Sequence, residues 1–316
     1  MRVLRVFVAG ATGAIGTRLV PKLVTAGHEV IGTSRSMDRA QRLHALGAEP
    51  VTLDLLDRRA VREAVLAAKP DAIIHQATAL TGLSDFKHFD RSFHQTNLLR
   101  TEGTEALLEA AREAGVGRFV AQSFASYRYA REGGPVKTED DPLDPAPVPA
   151  MRESEDAMAY LDQVVTRAGG IALRYGGFYG DPKDTTLIDA VRARKFPIVG
   201  NGQGVSSFIH LDDAADATVL ALEHDGPAIF NIVDDEPAPI KVWLPELARI
   251  LGAKPPHDFP KWLARVFAGD ALVMMATEAR GASNARAKRE LGWTPAHSSW
   301  RQGFAEAYGS RRNAAR

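Results

Sequence analysis

The chain has 316 residues, of which 39 are Lys or Arg and 39 are Asp or Glu, so its formal net charge is zero. This balance excludes a general electrostatic attraction to nucleic acid or to an anionic membrane. The sequence contains no cysteine, which excludes disulfides, iron–sulfur clusters, Cys-ligated zinc and thiol nucleophiles. No apolar run approaches the ~18 residues that a membrane helix needs. We therefore expect a cytoplasmic protein that binds neither nucleic acid nor membrane.

Strand-like and helix-like segments alternate through the first 180 residues. The predicted strands are apolar runs at 3–9, 29–33, 50–53, 71–75, 118–123 and 171–175. The predicted helices are at 14–26, 37–46, 58–68, 88–114 and 150–168, and a Gly- and Pro-rich loop covers 132–149. This alternation predicts an α/β fold, a doubly wound parallel Rossmann sheet with helices on both faces.

The regular alternation ends after about residue 180. Short predicted strands at 198–199, 207–210 and 229–232 are separated by helices and Pro-rich joints. We predict a dinucleotide-binding Rossmann domain over 1–180. We predict a smaller C-terminal substrate-binding lobe over 181–316, interleaved with the sheet.

A glycine-rich turn follows the first predicted strand and opens the first helix. Gly10 allows a tight turn, Gly13 lets the backbone approach a pyrophosphate, and Gly16 lets helix and strand pack closely. Free N–H groups and the helix dipole at the start of this helix favour a bound anion. The candidate pyrophosphate-binding residues are Gly10, Thr12, Gly13, Ala14, Ile15 and Gly16.

The end of the second predicted strand indicates which dinucleotide binds. An NAD site usually has Asp or Glu there, which binds the ribose 2′-hydroxyl. Here the strand ends in Thr33, Ser34 and Arg35, with no carboxylate. Arg35 can pair with a 2′-phosphate in bidentate fashion, and Ser34 can donate to it. We therefore expect NADP(H) as the preferred cofactor and NAD(H) as the alternative.

Further motifs stand mostly at strand ends, where such a sheet binds its cofactor. They are Asp54 and Leu55 after the third strand, Gln76, Ala77 and Thr78 after the fourth, Asn97 on the next helix, Ser123 ending the fifth strand, and Tyr175, Gly176, Gly177 and Phe178 at the end of the sixth. Two late segments are Phe-Ile-His-Leu-Asp-Asp at 208–213 and Leu-Gly-Trp-Thr-Pro at 291–295.

With the glycine turn, these motifs resemble the short-chain dehydrogenase/reductase superfamily, in its extended epimerase/dehydratase-like, atypical branch. The resemblance implies that the strand-end motifs and Asn97 contact the cofactor, and that Ser123 takes the catalytic Ser/Thr position. It also implies a homodimer built from the helices at 88–114 and from 150. For His210 and the Asp pair after it we expect loop-orienting or helix-capping roles and no metal site.

One part of the family pattern is missing. The family's proton transfer rests on Tyr-x-x-x-Lys, in which the Lys lowers the pKa of the Tyr. At the corresponding helix start this chain has Met151 and Glu155. Three explanations stay open: another residue supplies the proton, hydride transfer to an already activated ligand needs no acid, or the protein binds cofactor without turnover. The candidate replacements are Ser123, Tyr127, Tyr129, Glu155 and Tyr179, and we expect burial to raise the pKa of Glu155.

The predicted substrate side is apolar. Ser206 and Ser207 stand where family enzymes that act on nucleotide sugars often have an Arg. The ligand-side segments contribute Phe124, Phe178, Tyr179, Trp262, Met274 and Met275. We expect hydride transfer between NADP(H) and a small, fairly apolar carbonyl or alcohol substrate. The alternatives are an NAD(P)-dependent epimerase or dehydratase of a sugar-like substrate, and a non-catalytic NADP(H)-binding redox sensor.

Overall fold

The computed structural model describes residues 3–80, 85–182 and 185–309. Within these residues the strands are β1 (Arg5–Ala9), β2 (Glu29–Ser34), β3 (Glu49–Thr52), β4 (Ala72–His75), β5 (Arg118–Phe124), β6 (Val136–Lys137), β7 (Ile171–Tyr175), β8 (Gly177–Tyr179), β9 (Ile198–Val199), β10 (Val205–Ser206), β11 (Phe208–His210), β12 (Ala228–Ile232), β13 (Ala238–Pro239), β14 (Asp258–Phe259) and β15 (Gly281–Ala282). The helices are α1 (Gly16–Thr25), α2 (Met37–Ala45), α3 (Arg58–Ala68), α4 (Phe89–Leu98), α5 (Thr104–Ala114), α6 (Arg152–Arg167), α7 (Thr186–Arg192), α8 (Leu211–Ala221), α9 (Ile240–Ile250), α10 (Lys261–Thr277), α11 (Ala285–Glu290) and α12 (Trp300–Tyr308).

The central sheet has seven parallel strands in the order β12-β7-β5-β4-β1-β2-β3. Side chains of a strand alternate between the two faces, so Val6 and Val8 pack on the side of α1 and α8. Phe7 and Ala9 pack on the other side, with α3 and α5. The predicted doubly wound parallel Rossmann sheet is confirmed. The strand order reverses between β1 and β4, and ligands of such sheets bind at the carboxyl ends of the strands near this point.

The seventh strand of the sheet comes from the chain beyond residue 180. β12 pairs in parallel with β7, from Ala228 beside Ile171 to Ile232 beside Tyr175. After each of these strands the chain enters the C-terminal part, where β8 and β11 form a separate parallel pair. The apolar core of that part contains Phe208, Trp243, Trp300 and Phe304. No helix among the described residues combines the length and the apolar character needed to cross a bilayer.

Two predicted elements differ from the structure. The predicted helix at 88–114 consists of α4 and α5, joined by a π-helical turn at Leu99–Gly103 and preceded by a 3-10 turn at Phe86–His88. The segment 132–149 is not all loop, because β6 pairs with β15, and a second 3-10 turn begins at Pro149. A two-residue strand paired with a distant segment leaves no periodic pattern in the sequence.

Candidate active site

The glycine turn after β1 is built as tightly as a pyrophosphate cradle requires. Gly10 has a φ of +86°, and a Cβ atom on it would lie 2.7 Å from the backbone of Ala77. A Cβ atom on Gly16 would lie 2.5 Å from the backbone of Ala11. The N–H of Gly13 donates to the carbonyl of Gly10 at 3.0 Å, which closes the turn. Larger residues would therefore disrupt the approach of the turn to the strand ends, and the residues present fit a dinucleotide.

The turn reaches the end of β2 through a side-chain contact. Oγ1 of Thr12 donates to Oγ of Ser34 at 3.3 Å, and both oxygens lie next to the glycine turn. Ala14 is exposed on the turn, whereas Ile15 is buried in the core below it. The structure thus brings the predicted pyrophosphate and ribose sites together.

The ends of β2 and β3 carry the residues that we predicted for the adenosine side. Arg35 is exposed directly after β2, and the next carboxylate along the chain is Asp38 in the first turn of α2. Asp54 is exposed after β3, and its Oδ1 accepts a hydrogen bond from the N–H of Leu56 at 3.1 Å. Leu55 is buried in the core between the sheet and α3, so its side chain has a packing role.

The predicted cofactor contacts after β4 and in β7 are partly internal. Nε2 of Gln76 donates to the hydroxyl of Tyr175 at 3.1 Å, and this hydroxyl lies 2.6 Å from Oγ1 of Thr218. Tyr175 is fully buried, so its side chain ties β4 and β7 to α8 and leaves only its backbone for a ligand. Ala77 and Thr78 are half-buried after Gln76, at the carboxyl end of β4.

Backbone hydrogen bonds hold the glycine pair after β7 in place. The N–H of Gly176 donates to the carbonyl of Ile232 at 3.0 Å, and the N–H of Gly177 donates to that of Ser207 at 2.8 Å. Phe178 follows, half-buried, between the sheet and the C-terminal part. This segment therefore lies where the two parts of the chain meet.

Asn97 positions the helix that carries the altered pair. Its Nδ2 donates to Oγ of Ser154 at 3.1 Å. The Ser154 hydroxyl in turn donates to Oδ1 of Asp90 at 2.7 Å, and the same carboxylate accepts from the N–H of Glu153 and of Ser154. Asn97 is almost fully buried, so the structure gives its side chain a role in fixing the start of α6.

The Ser123 hydroxyl belongs to a buried ionic network. It accepts a hydrogen bond from Nη1 of Arg128 at 3.0 Å, and Ser123 is 1% exposed. The same Nη1 lies 2.9 Å from Oδ2 of Asp162, which also pairs with Nε of Arg174 at 2.8 Å. A serine held in this way is positioned by a guanidinium rather than by a base.

The network continues through Tyr129 to β12. Nη1 of Arg174 donates to the Tyr129 hydroxyl at 3.2 Å, and this hydroxyl donates to Oδ1 of Asn231 at 2.7 Å. Burial raises the pKa of Tyr129. Its proton is therefore held in a structural hydrogen bond, and Tyr129 is a poor replacement for the missing tyrosine.

Met151 and Glu155 both face inward from the start of α6. Met151 is completely buried in an apolar cluster with Phe89, Tyr127, Met158 and Met274. Glu155 is 7% exposed, and none of the described residues hydrogen-bonds its Oε1. Burial, together with the nearby carboxylate of Asp144, raises the pKa of Glu155 to about 8. The expected rise in this pKa is confirmed, so Glu155 can carry a proton at neutral pH.

Tyr127 lies between the apolar cluster and the charged groups. Its φ of +55° is unusual for a large side chain and marks local backbone strain, which often occurs at functional sites. Its ring lies edge-on to Phe89 at 5.8 Å and tilted against Phe124 at 5.2 Å. Burial raises the pKa of Tyr127, Arg100 lowers it and Glu155 raises it further. The hydroxyl is therefore coupled electrostatically to both ionisable side chains.

The residues that we predicted for the substrate side are divided among four places, one of which is that of Phe178, half-buried against the core around the sheet. Phe124, Met274 and Met275 belong to the apolar cluster around Met151. Tyr179 lies in the core of the C-terminal part, with its ring 5.1 Å from Phe304. Trp262 is 68% exposed on α10. The group of Phe124, Met274 and Met275 is thus the one that adjoins Glu155 and Tyr127.

Sequence reasoning missed Arg100, Arg128 and Asp162. Arg128 stands between two tyrosines that were considered, and all three consecutive residues are buried, so period-two alternation gave no signal for it. Asp162 lies two helical turns after Glu155, on the same buried face of α6. Arg100 left no such signal, because it lies in the π-helical turn, which changes the helical register.

His210, Asp213 and His297 bring their ligand atoms within 4.8 Å of one another. The Asp213 carboxylate, however, already accepts from the N–H of Ala296 at 2.7 Å, the N–H of His297 at 3.0 Å and Nδ1 of His297 at 2.8 Å. Nδ1 of His210 accepts from the N–H of Asp212 at 3.2 Å, which caps α8. These donors hold the C-terminal segment against α8, as the predicted capping role implies.

The comparisons with known proteins agree with this geometry. Residues 6–233 match the family described as NAD dependent epimerase/dehydratase family. The chain belongs to this family. It resembles a solved UDP-glucose 4-epimerase from Thermotoga maritima, with a TM-score of 0.77 and 20% identity, over 97% of this chain and 98% of that one. At this identity the likeness shows the fold.

Two curated relatives are reductases. The chain is 45% identical to a 3-diazoavenalumate denitrifying reductase from Streptomyces sp, over 95% of this chain and 99% of the relative. It is 30% identical to a 4-hydroxy-2-methyl-3-oxo-4-farnesyl-3,4-dihydroquinoline-1-oxide ketoreductase from Stigmatella aurantiaca, over 79% of this chain and 74% of the relative. The protein is therefore an NAD(P)-dependent oxidoreductase of the short-chain dehydrogenase/reductase type.

Proposed function

We propose that the protein transfers hydride from NADPH to the ring carbon of a small, otherwise fairly apolar arenediazonium compound and releases the diazonium group as N₂. The observation that carries the proposal is the altered pair on α6, where a buried methionine replaces the proton-donating tyrosine and a carboxylate replaces the lysine. The reductase that is 45% identical to this chain is named after 3-diazoavenalumate, an anion that bears a diazo group.

The proposed reaction needs no proton donor. An arenediazonium ion and NADPH give the arene, N₂ and NADP⁺: the hydride electron pair forms the new C–H bond, and the C–N electron pair leaves with N₂. Atoms, charge and electrons balance without an added proton. A site that keeps the cofactor turn but has Met151 and Glu155 in place of the acid pair suits such an acceptor.

The adenosine side supports NADPH as the hydride donor. Ser34 and Arg35 stand at the end of β2, where an NAD site usually has Asp or Glu. Arg35 is exposed and free to turn toward a 2′-phosphate, while Ser34 lies beside Thr12 of the phosphate turn. A guanidinium and a hydroxyl are the groups that recognise this phosphate.

A second candidate is reduction of a small apolar ketone, which the likeness to the ketoreductase supports. That reaction places a proton on the carbonyl oxygen, so it needs an acid. Glu155, with its pKa raised to about 8, is the residue of the described site best suited to supply the proton. A sugar-like substrate is less well supported, since Oγ of Ser206 already accepts from Nε1 of Trp243 at 3.2 Å and no Arg stands beside it.

The test is an acceptor panel. We expect loss of NADPH absorbance with arenediazonium salts, with one N₂ released per NADPH, at a rate well above the rate without protein. Aryl ketones of similar size should react more slowly or not at all. Reduction of ketones alone would replace the diazo proposal with the second candidate. If neither class is reduced while NADPH binds, the redox sensor becomes the better account.

A further inference from the structure

We propose that Arg100 and Arg128 form a binding site for a carboxylate group of the substrate, beside Tyr127. This inference rests on the proposed function only in taking the ligand to be the substrate. It concerns guanidinium groups that the hydride-transfer account does not use.

Arg100 lies in the π-helical turn between α4 and α5, at the carboxyl end of β4. Nε2 of His75, the last residue of β4, contacts the carbonyl of Leu99 in this turn at 3.1 Å. Arg100 is 3% exposed, and no described residue hydrogen-bonds its Nε or Nη1. Burial lowers the pKa of Arg100 to about 10, so the side chain keeps its charge at neutral pH. π-helical turns inside longer helices occur frequently at functional sites.

Arg128 supplies a second guanidinium with free donors. Its Nη1 is used by Ser123 and Asp162, whereas no described residue accepts from its Nε or Nη2. Arg128 is 1% exposed. Each of the two guanidinium groups therefore has two nitrogen atoms available, and a guanidinium fork matches the two oxygens of a carboxylate.

The local charge balance also favours an anion. The guanidinium groups of Arg128 and Arg174 both pair with the one carboxylate of Asp162, and no described residue hydrogen-bonds Nε or Nη1 of the third, Arg100. Unpaired buried charges are strongly unfavourable, and a bound anion offsets their desolvation. A carboxylate on the substrate would supply the missing charge.

The position of the pair identifies the substrate rather than the cofactor as the anion. The phosphate turn is at the end of β1, whereas Arg100 and Arg128 stand after β4 and β5. Both arginines act on the pKa of Tyr127, whose ring belongs to the apolar cluster around Met151. A ligand with an aromatic or alkenyl body against this cluster would bring its carboxylate to the two guanidinium groups.

The experiment is calorimetric titration of the full chain, with NADP⁺ present, using cinnamate and cinnamamide as unreactive probes. They share one apolar body and differ in the charge of the end group. We expect cinnamate to bind at least tenfold more tightly than cinnamamide. Arg100→Gln should weaken cinnamate binding by about 10- to 100-fold, as loss of charged hydrogen bonds does, and leave cinnamamide binding unchanged. Arg112→Gln, an exposed arginine on the adjoining α5, is the matched control and should behave as the wild type.

Arg100→Lys keeps the charge without the fork, and it provides the test if the Gln variant does not fold. Its affinity for cinnamate should fall between those of the wild type and Arg100→Gln. The inference is overturned if the wild type binds cinnamate no more tightly than cinnamamide, or if the preference survives in every folded Arg100 variant. If cinnamate is preferred but no acceptor oxidises NADPH, the carboxylate site is supported and the proposed function is refuted. If acceptors are reduced equally well with and without a carboxylate, the proposed function is supported and the carboxylate site is refuted.

Discussion

Nη1 of Arg128 lies 2.9 Å from Oδ2 of Asp162, and the two side chains are 1% and 5% exposed. The contact joins the loop after β5 to the middle of α6. The same Asp162 oxygen binds Nε of Arg174 on β7 at 2.8 Å. One carboxylate on α6, the helix of Glu155, thus joins this helix to β7 and to the loop that follows Ser123 and β5. The altered α6 pair is thus supported by a rigid buried network.

Asp162→Asn should destabilise the fold, because it leaves two buried guanidinium groups without their counter-ion. Breaking a buried ion pair by removing one partner costs about 3–5 kcal/mol in free energy of unfolding. Urea denaturation measures this change. Asp156→Asn, an exposed carboxylate on the same helix, is the control and should stay within about 0.5 kcal/mol. Equal urea midpoints for the two variants would show that the network contributes little to stability.

The pKa of Glu155 predicts how stability depends on pH. This pKa is about 8 in the folded protein against an ordinary value of 4.5, so between these values the folded state holds a proton that the unfolded state has lost. The free energy of unfolding should therefore fall as the pH rises from 4.5 toward 8. Asp234, whose pKa burial also raises to about 8, acts in the same direction.

The variant Glu155→Gln isolates the contribution of Glu155 to the pH dependence of the free energy of unfolding. Urea denaturation at pH 5 and pH 8 should show a smaller loss of stability with rising pH in this variant than in the wild type. Glu132→Gln, at an exposed carboxylate in the loop after β5, serves as the control. An unchanged pH dependence would mean that Glu155 ionises with an ordinary pKa and is solvated.

The same variant separates the two candidate reactions. If Glu155 supplies the proton for ketone reduction, Glu155→Gln should lower turnover by about 10²- to 10⁴-fold while NADPH affinity holds. Reduction of a diazonium acceptor needs no proton, so its turnover should fall much less in Glu155→Gln. Turnover of the two acceptors, measured side by side, checks this. If Tyr127→Phe abolishes ketone turnover and Glu155→Gln does not, the proton comes from Tyr127.

We expect the preference for NADPH over NADH to depend on Arg35. NADPH should bind about ten- to a thousand-fold more tightly than NADH, and Arg35→Ala should remove most of that difference. Arg42→Ala, an exposed arginine farther along α2, is the matched control. Fluorescence titration with both nucleotides measures the two affinities. Equal affinities in the wild type, or tighter NADH binding, would contradict the prediction.

The sequence predicted the parts of the site that depend on local backbone requirements. Gly10 has a φ of +86° and a Cβ atom on Gly16 would meet Ala11 of the same turn, so the spacing of these glycines after a strand was sufficient to predict a cofactor turn. The contacts of Arg128 and Asp162 depend on the packing of distant segments, which periodicity does not encode. The side chain of Tyr175 illustrates the same limit: the motif indicated its place in the chain, whereas its hydrogen bond to Thr218 directs it into the core.

In the reaction that we propose, hydride passes directly from NADPH to the carbon that bears the diazonium group, without a protein acid. Single-turnover reaction of the protein with an arenediazonium salt and each of the two C4-deuterated forms of NADPH tests it. We predict that deuterium from only one of the two forms appears at the carbon that carried the diazo group, with one N₂ per NADPH and no deuterium taken up from D₂O. Deuterium uptake from solvent at that carbon, or equal transfer from both forms, would contradict the account.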